Sequence, residues 1–177
     1  MSPTKHDQIV IGRAKNALLS FFEQRLSVPK IYLDADWQGE RVDVVAIDRA
    51  GVGDVSIALI AEFGEPPSLT SDSSNAMIRH LHLIPAHYKY LVAISKDGSA
   101  LKNTELARDI AELANVMIQL YADDGVGRIG LISVDFQSKG SIISVPLSAE
   151  RFRSSRKISE LADAYSAQHT ADFEVRP

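Results

Sequence analysis

Residues 30–63 constrain the fold more than any other part of the chain. Three stretches, KIYLDADWQ, RVDVVAID and DVSIALIAEF, are rich in apolar and β-branched side chains. They are separated only by Gln38-Gly39-Glu40 and by Arg49-Ala50-Gly51-Val52-Gly53. The first alternates, with Ile31, Leu33, Ala35 and Trp37 opposite Tyr32, Asp34 and Asp36, the period of a half-buried strand. Connections this short join antiparallel neighbours, because a parallel return needs a dozen or more residues. The spacing therefore predicts an antiparallel three-strand meander.

Helical periodicity brackets this meander. In residues 7–26 the apolar positions Val10, Ala14, Ala17, Leu18, Phe21 and Phe22 form one stripe, and Pro29 ends the helix. After the polar loop GEPPSLTSDSSN, the stretch AMIRHLHLI reads as a short helix closed by Pro85, and KYLVAIS as a buried strand. Residues 103–122 carry Leu106, Ile110, Leu113 and Met117 on one helical face. RIGLISVDF and SIISVPL form a second hairpin around Gln137-Ser138-Lys139-Gly140. A last helix runs from near Ser148 to about Gln168, followed by a loose tail. No repeat or linker divides the chain. The expectation is one α/β domain over residues 1–177, with a central mixed sheet flanked by helices. Its core lies at about 7–96, and a C-terminal extension with hairpin and helix at about 103–170.

Composition narrows the function classes. The chain is 45% hydrophobic and 24% charged with net charge −4, so no overall field draws it to nucleic acid or to an anionic membrane. It has no cysteine, which excludes disulfides, thiolate metal sites and a cysteine nucleophile. The N-terminal stretch has no apolar signal-peptide core, and no apolar run approaches the roughly 20 residues of a membrane span. A cytoplasmic protein without a membrane partner is expected.

Two carboxylates stand out. Asp43 lies inside the second apolar run and Glu62 at the end of the third. Strict alternation groups Asp43 with Arg41, Val45 and Ile47, and Glu62 with Ser56, Ala58 and Ile60. On neighbouring strands the two would offer oxygen ligands suited to a hard cation such as Mg²⁺. Such an ion polarises a phosphoryl oxygen and lowers the pKa of bound water.

The succession of helix, hairpin with RVDVVAID, IALIAEF, helix and KYLVAIS resembles the PD-(D/E)XK (restriction-endonuclease-like) nuclease superfamily over roughly residues 7–96. The resemblance implies that Asp43 and Glu62 hold Mg²⁺ or Mn²⁺, with Glu23 of the first helix as a further acidic ligand. It implies a domain that hydrolyses or binds DNA or RNA. The chain departs from the family pattern at Gly64, which stands where a lysine orients the attacking water. Arg79 on the next helix is the substitute cation; arginine stays protonated and stabilises charge rather than acting as a base. The competing expectation is a catalytically inactive nuclease-like fold, serving as a protein-interaction or regulatory subunit or as a homo-oligomer. A plainer account makes Asp43 a cross-strand partner of Arg41 and Glu62 a strand end entering solvent.

Other constellations carry less. Arg151, Arg153, Arg156 and Lys157 in ERFRSSRK form a basic cluster at the start of the last helix, either a phosphate-binding surface or a solvated face. On a helix His80 and His82 diverge by about 200°, so they and His87 do not share a metal. GVGDVS and GVGRIG precede strands rather than helices and read as turns. No G-x-S-x-G elbow occurs.

Overall fold

A computed structural model of the chain describes residues 5–50, 53–63, 72–95, 127–137, 139–153 and 157–175. The expected helix at 103–122 lies outside the described residues. The elements are α1 (Lys5–Arg25), β1 (Pro29–Trp37), β2 (Glu40–Asp48), β3 (Asp54–Phe63), α2 (Asp72–Leu83) and β4 (Tyr88–Ser95). Then follow β5 (Gly130–Gln137), β6 (Gly140–Leu147), α3 (Lys157–Gln168) and β7 (Phe173–Glu174). All strands join one mixed sheet, in the order β6-β5-β4-β3-β2-β1-β7. The fold is α/β, and the C-terminal hairpin extends the same sheet as the meander.

The meander forms as its turns dictate. β1 and β2 are antiparallel, with Trp37 paired to Glu40 across Gln38 and Gly39. Both turn residues have positive φ, 57° and 81°, the conformation that matches the twist of a two-residue hairpin. Glu40 therefore belongs to β2 rather than to the turn. β2 and β3 are antiparallel, whereas β3, β4 and β5 run parallel, and β5 pairs antiparallel with β6. α2 makes the connection between the parallel strands β3 and β4, as a crossover of that kind requires.

Each face of the sheet buries a core. On one, Ile78 and Leu81 of α2 and Ile158 and Tyr165 of α3 pack with Trp37, Val45, Ile57 and Leu91. On the other, Ala14, Leu18 and Phe22 of α1 pack with Val44, Ala46, Ala58, Val92 and Ile132. Trp37, fully buried, satisfies its indole by donating to the Pro85 carbonyl at 2.8 Å. Among the described residues no helix is long and apolar enough to cross a membrane.

Strict alternation fails at one point in the meander. Ile31 and Leu33 pack on the α1 side, yet Ala35 and Trp37 belong to the opposite core. In β2 the same change falls between Val42 and Val44. The cause is Asp34, whose φ of 51° is a left-handed backbone that Asp and Asn tolerate better than other side chains. Asp43 consequently meets α1 and does not share the face of Val45 and Ile47.

Two C-terminal expectations also change. α3 begins at Lys157, not near Ser148, and residues 148–153 are tied to neighbouring strands rather than helical. Arg128 and Glu150 exchange backbone bonds, and Phe152 donates its N–H to the His87 carbonyl at 2.7 Å. The tail is tied down: Phe173 and Glu174 pair with Ile31 and Lys30. Asp172 accepts from the Leu33 N–H at 2.7 Å, and Arg49 bridges to Glu174 at 3.1 Å.

Candidate functional site

The ladder between β2 and β3 ends at Val44 and Ala58, while β3 continues beside β4 to Phe63. Where the strands part, the Ile60 N–H loses its ladder partner. Asp43 replaces it, its Oδ2 accepting that N–H at 2.8 Å. A backbone donor left unmatched in a part-buried position is costly, so this carboxylate has a structural duty.

Its other oxygen faces a cation. Lys15 of α1 places Nζ 3.5 Å from Asp43 Oδ1 and 2.5 Å from Asp34 Oδ1. Arg41 approaches Asp34 at 3.5 Å from the solvent side. The Lys15 side chain is 13% exposed and that of Asp43 25%, so the lysine side chain is largely covered and the carboxylate partly open. Burial tends to raise the Asp34 carboxyl, but the Lys15 hydrogen bond and charge, followed by Arg41, outweigh it and hold the group below the usual carboxylate range. The cluster carries two negative and two positive charges, gathered where the sheet opens.

Lys15 is the residue that sequence reasoning missed. Its signal was present: in the row Ile11–Lys15–Leu19, four residues apart, a lysine sits between two apolar side chains at the flank of the buried stripe. All three are intermediate in burial, which suits an aliphatic stem lying on the core with its charge at the rim.

The other predicted residues are dispersed. Glu62 lies two positions beyond Ile60 in β3, opposite Ile94 of β4; its side chain lies outside the described residues. Glu23 is exposed on α1, eight residues or about 12 Å of helix rise beyond Lys15, and does not converge on Asp43. Arg79 is exposed on α2, the helix that packs on the opposite sheet face from α1. Arg151 bonds Asp54 at 2.8 Å at the start of β3. Arg153 and Lys157 are exposed, but only Lys157 is helical, so they do not form one helical face; Arg156 lies outside the described residues. His80 pairs with Glu40 at 3.3 Å, His82 packs edge-on to Phe152, and His87 accepts the Val55 N–H at 2.9 Å. The three histidines do not converge.

The donor chemistry suits a hard cation only in a limited way. Among the described residues no three His, Asp or Glu side chains gather as a metal cage. Mg²⁺ does not need one, since it keeps several waters and is held by one or two carboxylates together with substrate oxygens. Asp43 is such an oxygen donor, but its Oδ2 accepts the Ile60 N–H and its Oδ1 faces the Lys15 ammonium, so a cation at this carboxylate competes with both.

No protein-family model matches the chain, and no curated protein sequence matches it.

Proposed function

We propose that this chain is a divergent nuclease-like domain acting on phosphodiesters of DNA or RNA, with Asp43 and Lys15 as its working pair. The observation that carries this reading is the Lys15 ammonium beside Asp43 at the parting of β2 and β3. Two further features support it. The order α1, antiparallel β1-β2-β3, α2, parallel β4 is the one expected from the resemblance to the PD-(D/E)XK superfamily. Lys15 also offers from α1 the cation that Gly64 leaves missing from the strand.

The roles follow from charge and position. Asp43 and Glu62 would hold Mg²⁺ or Mn²⁺, which when bound supplies a Lewis acid for a phosphoryl oxygen. Lys15, its stem on the core and its ammonium held at the rim by two carboxylates, would stabilise negative charge on the phosphate without having to reorganise. Asp34 is a positioning residue that holds the ammonium. Arg79 has no part in this arrangement.

One observation favours the second reading, an inactive nuclease-like fold serving as a protein-interaction or regulatory subunit. Both Asp43 oxygens already have partners within the chain, as a purely structural knot would require.

Labelled single- and double-stranded DNA and RNA, incubated with Mg²⁺ or Mn²⁺, separate the two. Cleavage by the wild type that is lost in both Asp43→Asn and Lys15→Gln, with circular dichroism unchanged, is the expected result. Absence of cleavage by the wild type, or its persistence in Asp43→Asn, refutes the catalytic reading and leaves the second.

A further inference from the structure

The two edges of the sheet are unlike. One is closed by β7, only two residues long, and the other is the eight-residue strand β6, GSIISVPL. Among the described residues no strand pairs with the outer side of β6, so that side presents a row of backbone N–H and C=O groups. Edges of this length are commonly guarded by a charged side chain or a proline. β6 has no charged residue, and its proline, Pro146, stands near its end. Residues 140–145 remain open to pairing, about 20 Å of strand. Ile142, between Ser141 and Ile143 that face α1, is 48% exposed on the other side of the sheet.

A groove of about 730 Å³ runs between β6 and α1. Ile143 and Val145 line it from the strand, and Asn16, Ser20 and Gln24, four residues apart, line it from one flank of the helix. Arg25, exposed at the end of α1, adds a guanidinium that lies 4.4 Å from the Phe21 ring centre. Arg13 is already engaged by the Phe136 ring and the Gly140 carbonyl, so Arg25 is the cation offered to a ligand. No Asp or Glu is among the described residues that line the groove, in a chain of net charge −4. Its charge therefore suits an acidic occupant.

We infer that β6 takes an extended acidic peptide of a partner protein as an added strand, with Arg25 as the charged contact. The backbone row of β6 both donates and accepts, which another polypeptide backbone matches and a nucleic-acid strand, whose phosphates only accept, does not. An added strand turns every second side chain toward the α1 flank, where carboxylates meet Arg25 and can accept from Asn16, Ser20 and Gln24. Its other side chains cover Ile142. A second copy of this chain is a poorer occupant, because a twofold pairing of β6 sets two such basic flanks on one face without a carboxylate in either described lining. The inference is independent of the reading of Asp43 and Lys15.

Fluorescence anisotropy with a labelled, end-blocked octapeptide that alternates valine with glutamate tests it. The wild type should bind this peptide, and should bind the counterpart with lysine in place of glutamate far more weakly. Methylating every amide nitrogen of the acidic peptide keeps its charges and removes its backbone donors, so it should abolish binding. Arg25→Glu should weaken binding about tenfold at low salt, about twice the worth of one exposed ion pair, while its thermal melt stays that of the wild type. Asp43→Asn should bind as the wild type does. Absence of binding by the wild type overturns the inference. So does equal affinity for the methylated peptide or the lysine peptide, or wild-type affinity in Arg25→Glu. Retention of a single-stranded oligonucleotide in place of the peptide overturns it as well, as does a wild-type dimer in sedimentation that the peptide does not dissociate.

Discussion

Lys89 is a cation where the core should not have one, and replacing it tests how far its partners compensate. The residue is only 4% exposed. Its ammonium donates to the His82 carbonyl at the end of α2 and lies 4.3 Å from the centre of the Phe152 ring. Burial lowers its pKa from 10.5 to about 8. At about 1.4 kcal/mol per pKa unit, the charged form is disfavoured in the folded chain by about 3 kcal/mol. Lys89→Met removes that penalty with a side chain of similar length. It also forfeits the carbonyl bond, worth about 1 kcal/mol net, and the ring contact, worth about 1 kcal/mol. The variant should therefore be about 1 kcal/mol more stable than the wild type at pH 7. The pH dependence is the sharper signature. Below pH 8 both folded and unfolded wild type carry the proton, and the folded state bears the full cost. Between pH 8 and 10.5 the folded state sheds its proton while the unfolded chain keeps it, so wild-type stability rises with pH. Across that window the advantage of the variant should shrink and then reverse, to about 2 kcal/mol in favour of the wild type. Guanidinium unfolding at pH 7 and at pH 10.5, read as the difference between the two proteins, cancels the titrations they share. A difference that does not change between the two pH values refutes the argument.

Two further outcomes follow from partners elsewhere. The pKa of His87 is lowered by its burial and by the Arg151 cation, against the opposing charge of Asp54, and its Nδ1 accepts the Val55 N–H. Its contribution is fully present above about pH 6.5 and declines as pH falls below it, because the unfolded chain takes up a proton that the folded one resists. Urea unfolding at pH 7.5 and 5.5 should show this loss in the wild type and less of it in His87→Gln; equal losses would contradict the assignment. Asp48 accepts the N–H groups of Ser27, Val28 and Ala50, joining the end of α1 to β2. Asp48→Ala should cost about 2 kcal/mol, since a charged acceptor is lost from several partly exposed donors. A shift in denaturation midpoint well under that value would mean water replaces the carboxylate.

Much of the architecture was legible because its signals are local. Gln38-Gly39 sets a two-residue hairpin whatever lies around it, and the apolar row from Val10 to Phe22 makes α1 amphipathic wherever it docks. The parallel pairing of β3 with β4 follows once α2 separates the two strands. The site was legible only in part. Asp43 is visible as a carboxylate in an apolar strand, but its face was misjudged, because alternation assumes an unbroken pleat and Asp34 breaks it with a left-handed backbone. Composition alone reads the basic stretch at 151–157 as one helix, since it does not reveal that Phe152 is tied to His87.

Periodicity and turn chemistry act over a few neighbours, and from them this chain's helices, strands and antiparallel meander follow directly. Proximity between residues distant in sequence is another matter. Lys15 meets Asp34 and Asp43 only because α1 packs across β1 and β2 at the point where their pleat changes phase. Arg13 reaches Gly140, 127 positions away, only because β6 ends up at the sheet edge beside the same helix. Such encounters are decided by how whole elements stack to bury their apolar faces, which no short stretch of the chain encodes on its own.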